Sequence, residues 1–172
     1  MLKVEQIASE EALRRELVAL LPKLRRFAIG LAGSTAEGDD VMQAACERAL
    51  SRLNQFQPGT RLDSWMYRIV QTVWIDRRRA GRNREIGSDV GGLDHFAGGN
   101  AAEEMESRLT LKAVRREIAK LPEDQRIVMM LVTVEGVSYK DAAQILSVPI
   151  GTVMSRLARA RLALGQALGG RA

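Results

Sequence analysis

Apolar positions recur along this chain at helical spacing, and nowhere do they alternate in the two-residue rhythm of a strand. From Leu13 onward Leu13, Leu17, Leu20, Leu24, Phe27 and Leu31 fall three or four residues apart, the stripe of an amphipathic helix ending near Gly30–Gly33. Val41, Met42, Ala45, Ala49 and Leu53 form a second stripe behind an acidic start at Glu37, Asp39 and Asp40, where negative charge suits a helix N-terminus. A Pro-Gly turn in NQFQPGT precedes a third, with Thr60 and Asp63 spaced as a capping box and Leu62, Trp65, Met66, Ile69 and Val73 as its buried face.

After that helix the pattern stops. Residues 86–105 carry five glycines and four acids without periodicity, the composition of a flexible linker. Beyond it Leu111, Val114, Ile118 and Leu121 share one helical face. Pro122 then starts a helix bearing Ile127, Met130, Leu131 and Val134, and Gly136 ends that pair. Ser138 and Asp141 cap a short helix through Ala142, Ala143, Ile145 and Leu146, and Ser147–Val148–Pro149 breaks it. A last helix runs from near Pro149 through Leu164 with Val153, Leu157, Ala160 and Leu164 inward. The predicted fold class is all-α, with two small helical domains at 1–85 and 106–172 joined by the linker at 86–105.

Charge follows the same division. Lys and Arg outnumber Asp and Glu 15 to 11 in residues 1–85 and 11 to 6 in residues 106–172, while residues 86–105 hold four acids and no base. The net charge of +5 favours a polyanionic partner, and five arginines among residues 77–84 sharpen that expectation. One cysteine, Cys46, and one histidine, His95, leave no intrachain disulfide and no multi-ligand Cys/His zinc site. Both receive bland structural readings. No stretch approaches the about 20 apolar residues of a membrane span, so a cytoplasmic protein without membrane insertion is expected. No catalytic triad, phosphate-cradling glycine motif or paired-acid context is present, and the expectation is of no enzyme and no cofactor.

In SYKDAAQILSVPIGTVMSRLARAR a small residue, Ala143, allows close helix approach, and Leu146, Val148 and Val153 can lock a sharp turn. That is helix-turn-helix patterning. Its second helix offers Thr152, Met154, Ser155, Arg156, Arg159 and Arg161, donors suited to phosphates and guanine edges. The same arginines would equally suit the solvated face of a plain helical pair.

The run LPEDQRIVMMLVTVEGVSYKDAAQILSVPIGTVMSRLARARLAL at 121–164 closely resembles region 4 of extracytoplasmic-function sigma factors of the sigma-70 family. The resemblance rests on Leu121–Pro122, Gln125–Arg126, Glu135–Gly136, Ser138–Tyr139, Gly151–Thr152–Val153, Ser155–Arg156 and Arg159–Ala160–Arg161. AEGDDVMQAACERAL is similar to the family's region 2.1–2.2, and TRLDSWMYRIVQTVWIDRRRAGR to regions 2.3–2.4. The resemblance implies a sigma factor that directs core RNA polymerase to specific promoters and aids their opening. A standalone helix-turn-helix regulator is the alternative, and a nucleic-acid-processing enzyme a remoter one.

The resemblance also assigns sites. It implies −35 recognition by Thr152, Met154, Ser155, Arg156, Ala158, Arg159 and Arg161, with Met154, Ser155, Ala158 and Arg159 as the base-reading face; several relatives carry a basic residue at Met154. It implies −10 recognition by Asn54, Arg61, Arg68, Gln71, Thr72 and Trp74, with Arg77, Arg78 and Arg79 on the backbone. Gln71–Thr72 stands where relatives often have Arg-Asn, which alters base readout. Trp65 is read as core and Asp76 as structural, orienting neighbouring arginines. Asp39, Asp40, Gln43, Glu47 and Arg48 are expected to dock on the β′ clamp helices, though Asp39 and Asp40 also serve the helix dipole. Further expected partners are the β flap, promoter DNA and a cognate anti-sigma factor.

Overall fold

A computed structural model describes residues 2–57, 59–82 and 101–169, with side chains at 11–57, 59–81 and 111–169. Among them lie seven α-helices: α1 (Leu2–Ala32), α2 (Thr35–Ser51), α3 (Leu62–Arg82), α4 (Ala101–Lys120), α5 (Glu123–Met129), α6 (Tyr139–Leu146) and α7 (Ile150–Ala167). A 3-10 turn at Leu53–Gln55 follows α2, and a π-helical turn at Met130–Val134 continues α5. No described residue is in a strand, as the periodicity predicts.

Helices α1, α2 and α3 pack on one another as one unit, and α5, α6 and α7 form a second with α4. Helix α1 is longer than the stripe that predicts it, because the strong helix formers before Leu13 extend it back to Leu2. It tolerates Pro22 in its interior, and ends where Gly33 adopts φ +88° and donates to the Ile29 carbonyl. Ser34 then caps α2 by accepting from the Glu37 amide. Gly38 lies against α1 so tightly that a Cβ there would stand 2.6 Å from the Ile29 Cα.

The expected capping box at Thr60 and Asp63 does not form. Thr60 donates its hydroxyl to the Gln57 carbonyl, and α3 begins at Leu62 with the Asp63 carboxylate taking the Ser64 amide. Leu62, Met66, Ile69 and Val73 are buried as expected, whereas Trp65 is half-buried, edge-on to Phe56 at 5.5 Å. Tyr67, Val70 and Trp74 are buried too, because α3 is covered on a second face.

Residues 86–100 of the expected linker lie outside the described residues, as does His95. Residues 101–105 already belong to α4, since AAEEM is made of good helix formers. In the second unit Ile118 and Leu121 are buried and Val114 half-buried, but Leu111 and Val134 are exposed. Ser138 caps α6 by accepting from the Asp141 amide, and Ser147 closes it in the left-handed conformation at φ 54°. Ala142, rather than Ala143, is the fully buried small residue of α6. Val153, Leu157 and Ala160 anchor α7, with Leu164 half-buried. Each large side chain so buried contributes about 1.5–3 kcal/mol.

The two units are not apart. Their buried residues form one continuous apolar cluster in which α3 meets α6, and α1 meets α4 and the π turn. A Cβ at Gly30 would overlap the Met130 thioether, so a glycine there lets α1 lie directly on the π turn.

Candidate nucleic-acid and polymerase interface

Helix α7 carries the expected −35 readers with a clear division among them. Met154 is 51 % exposed, and Ala158, Arg159 and Arg161 are also exposed on its outer face. Thr152, Ser155 and Arg156 are half-buried. Ser155 donates its hydroxyl to the Thr152 carbonyl, and the Arg156 Nε lies 3.0 Å from an Asp124 carboxylate oxygen on α5. Arg156 therefore ties α7 to α5.

On α2 the expected docking residues share an outer face that is laced to its neighbours. Asp39 takes both Nε and Nη2 of Arg25 at 2.6 and 2.9 Å, which holds its carboxyl below the usual carboxylate range and raises the arginine. Arg77 donates to the carboxylate and carbonyl of Asp40, each at 3.2 Å. Gln43 bonds Glu47 within the helix, and Arg48 reaches Asp76 at 3.1 Å. Asp76 thus orients an arginine. Cys46, half-buried behind this face, has its thiol pushed up by burial.

The expected −10 readers lie along α3 and the turn before it. Asn54 in the 3-10 turn and Arg79 are exposed, Gln71 is half-buried, and Thr72 donates its hydroxyl to the Arg68 carbonyl at 2.8 Å. Arg77 is held by Asp40 of α2, while Arg61, Arg68 and Trp74 are engaged by the second unit. Arg61 forms a fork with Asp63 and also reaches the Asp141 carboxylate at 2.8 Å. Arg68 donates to the Ile145 carbonyl at 3.1 Å and to that of Gln144, at the C-terminal end of α6. Trp74 is only 2 % exposed, with the guanidinium of Arg78 at 5.2 Å and that of Arg126 at 5.5 Å from its ring centre. Trp74 falls outside the stripe of Trp65, Ile69 and Val73; Tyr67 and Trp74, two turns apart, define a second covered face.

Two buried charges stand out that the sequence pattern did not single out. Glu135, just after the π turn, has a fully buried side chain that accepts from Arg26 at 2.9 and 2.7 Å and from the Tyr67 hydroxyl at 3.2 Å. Arg126 donates to the carbonyls of Leu31 at 2.8 Å, Leu121 at 3.2 Å and Ala119. Burial first, then the nearby Arg78, pull its guanidinium down to about 10. Both lie in dipeptides of the region 4 resemblance, which is the signal that marks them. Among the described residues no group of acids, cysteines and histidines could hold a metal, and no helix is long and apolar enough to cross a membrane.

Comparison with known proteins covers both units. A family model described as sigma-70, region 4 matches residues 111–164, and one described as the sigma2 domain of PhyR matches residues 17–71. The ECF RNA polymerase sigma factor EcfG of Rhodopseudomonas palustris is 35 % identical over 164 residues, 92 % of this chain and 86 % of that protein. The RNA polymerase sigma-H factor of Pseudomonas aeruginosa is 36 % identical over 141 residues, 77 % of this chain and 73 % of that one. Among solved structures, the sigma factor RpoE of Bartonella quintana, in complex with the anti-sigma factor NepR, is similar at a TM-score of 0.79 and 28 % identity. That likeness covers 94 % of this chain and 99 % of that one.

Proposed function

The chain belongs to the extracytoplasmic-function RNA polymerase sigma factors, and from that premise we propose how its two units share the task of directing core polymerase to specific promoters. The outer face of α2, with Asp39, Asp40, Gln43, Glu47 and Arg48, docks on the β′ clamp helices, where surface charge sets encounter rate and register. Asn54, Arg61, Arg68, Gln71, Thr72 and Trp74 handle the −10 strand during opening, with Arg77, Arg78 and Arg79 on phosphates. The exposed face of α7 reads the −35 element in duplex form, bases by Met154, Ser155, Ala158 and Arg159, phosphates by Thr152, Arg156 and Arg161.

The observation that carries this reading is likeness to ECF sigma factors along 92 % of the chain, through both units in order. A standalone helix-turn-helix regulator accounts for the second unit alone. No catalytic step is needed, since tethering two weak DNA contacts on one polymerase makes a selective address. The work is done where core polymerase is, in the cytoplasm. A protein similar to this chain was solved with an anti-sigma factor, which supports such a partner here.

Run-off transcription by core polymerase on a genomic fragment library tests the reading and reports the promoter sequence. Addition of the chain should yield discrete new start sites sharing two spaced elements. Tight binding of duplex promoter by the chain alone, with no effect on core polymerase, would overturn it.

A further inference from the structure

We propose that without polymerase this chain masks itself: the helix-turn-helix unit lies on the strand-handling face of α3, and Glu135 latches the two units together. The inference rests on the assignment of the −10 strand to α3 made above.

Two guanidiniums assigned to that strand are already occupied. Arg61 reaches the Asp141 carboxylate in the first turn of α6, and Arg68 the Ile145 and Gln144 carbonyls in its last. The carbonyl end of a helix carries partial negative charge, so α6 presents oxygens to these arginines as a phosphate backbone would. Trp74, the aromatic assigned to the same strand, is buried with Arg126 of α5 over its ring. A DNA strand and α6 therefore compete for the same donors.

The latch lies one helix away. Glu135 enters the interface from the π turn with no exposed side-chain surface, held by both nitrogens of an Arg26 fork and by Tyr67, all three contacts coming from the first unit. Separation must rehydrate that carboxylate; leaving it closed but unpaired costs more than the pair gains, since a buried charge without its partner is strongly unfavourable. Closure also carries a load that keeps it reversible. Arg78 and Arg126 approach the same indole, and Arg78 Nη1 and Arg126 Nε are buried without a hydrogen-bond partner. Apparent affinity for the −10 strand falls in proportion to the fraction of chains that are open.

The test uses the full chain, small-angle scattering, and a fluorescent single-stranded oligonucleotide carrying the non-template −10 sequence defined by run-off transcription. The polymerase-free wild type should have a radius of gyration near the about 16 Å of a compact domain of 172 residues. Arg26→Glu, which sets a carboxylate against Glu135 from a half-exposed position, should expand the chain and raise oligonucleotide affinity at least tenfold. Arg26→Glu with Glu135→Arg should restore both values. Asp141→Asn, which removes the charge that Arg61 meets in the second unit but leaves its Asp63 fork and the backbone cap on Ser138, should raise affinity severalfold and decides the matter if Arg26→Glu loses helix content. An extended wild type, or unchanged oligonucleotide affinity in Asp141→Asn and in a folded Arg26→Glu, overturns the latch. Wild-type run-off activity alongside such a result leaves the sigma assignment standing; its absence removes that assignment instead.

Discussion

Arg156 of α7 and Asp124 of α5 form an ion pair at 3.0 Å, with the arginine side chain only 27 % exposed. Arg159, one turn further on, stays exposed. The two arginines should therefore fail differently. Arg156→Ala should cost up to about 1 kcal/mol, or some 2–4 °C in melting temperature, and weaken all promoters alike. Arg159→Ala should leave stability within about 0.5 kcal/mol but lose about 1–3 kcal/mol of discrimination at one −35 base pair. Melting curves and run-off on promoters substituted base by base separate the two.

The bidentate pair of Asp39 with Arg25 is exposed on both sides, at 48 % and 44 % of side-chain surface. Such pairs contribute about 0–1 kcal/mol, so Asp39→Ala and Arg25→Ala should each shift the melting temperature only slightly. Docking separates them. If Asp39 meets the polymerase directly, Asp39→Ala slows association with core severalfold and flattens its salt dependence, while Arg25→Ala does not slow it. Equal slowing by both would mean that Asp39 acts only through its intramolecular partner. Stopped-flow fluorescence with labelled core polymerase provides the rates.

Helical stripes and caps account for most of the fold, because each unit buries a face whose period is set by the helix itself. Ser138 and the break at Ser147–Pro149 follow from local chemistry alone. What lies between the units does not. Tyr67, Trp74, Glu135 and Arg126 each make a contact with a residue distant in sequence, Tyr67 with Glu135, Trp74 with Arg126, Glu135 with Arg26 and Arg126 with Leu31, so no local pattern reveals them. Glu135 shows this most plainly: a glutamate before a glycine reads as a surface turn, yet the π turn rotates it inward onto Arg26. The exposed outer side of α7 was legible because its polar positions follow the helical period; the contacts of Arg61, Arg68 and Trp74 with α5 and α6 were not, because they join residues far apart in sequence.

Trp74 should report the contact between the units, since Arg126 of α5 lies over its ring. In a Trp65→Phe background it is the sole tryptophan, since the chain has two. At 2 % exposure its emission should be blue-shifted and nearly immune to acrylamide. Adding Arg26→Glu should raise the quenching constant severalfold with helix content unchanged. Quenching as strong in the parent as in the variant would place Trp74 at the surface in solution.

The same interface sets the chain's response to base through two groups of opposite sign. Burial first, and then the Glu135 charge, push the Tyr67 hydroxyl far above its ordinary value of 10.0. The unfolded chain therefore releases that proton near pH 10 while the folded chain keeps it, so the stability Tyr67 lends is whole below pH 10 and falls above it. Arg126, pulled down to about 10 from 12.5, does the reverse: the folded chain gives up its proton first, and stability rises between those values. In the wild type the two oppose one another across one pH window. Tyr67→Phe removes only the first and leaves Glu135 its Arg26 fork. The difference in melting temperature between wild type and Tyr67→Phe should therefore be constant from pH 7 to 9. Above pH 10 it should move steadily in favour of the variant. Phenolate absorbance should agree, with one of the two tyrosines of the wild type ionising only as the chain unfolds. Reversible ionisation of both tyrosines in the folded protein would show that Tyr67 is open to water and that Glu135 is not held as the structure holds it.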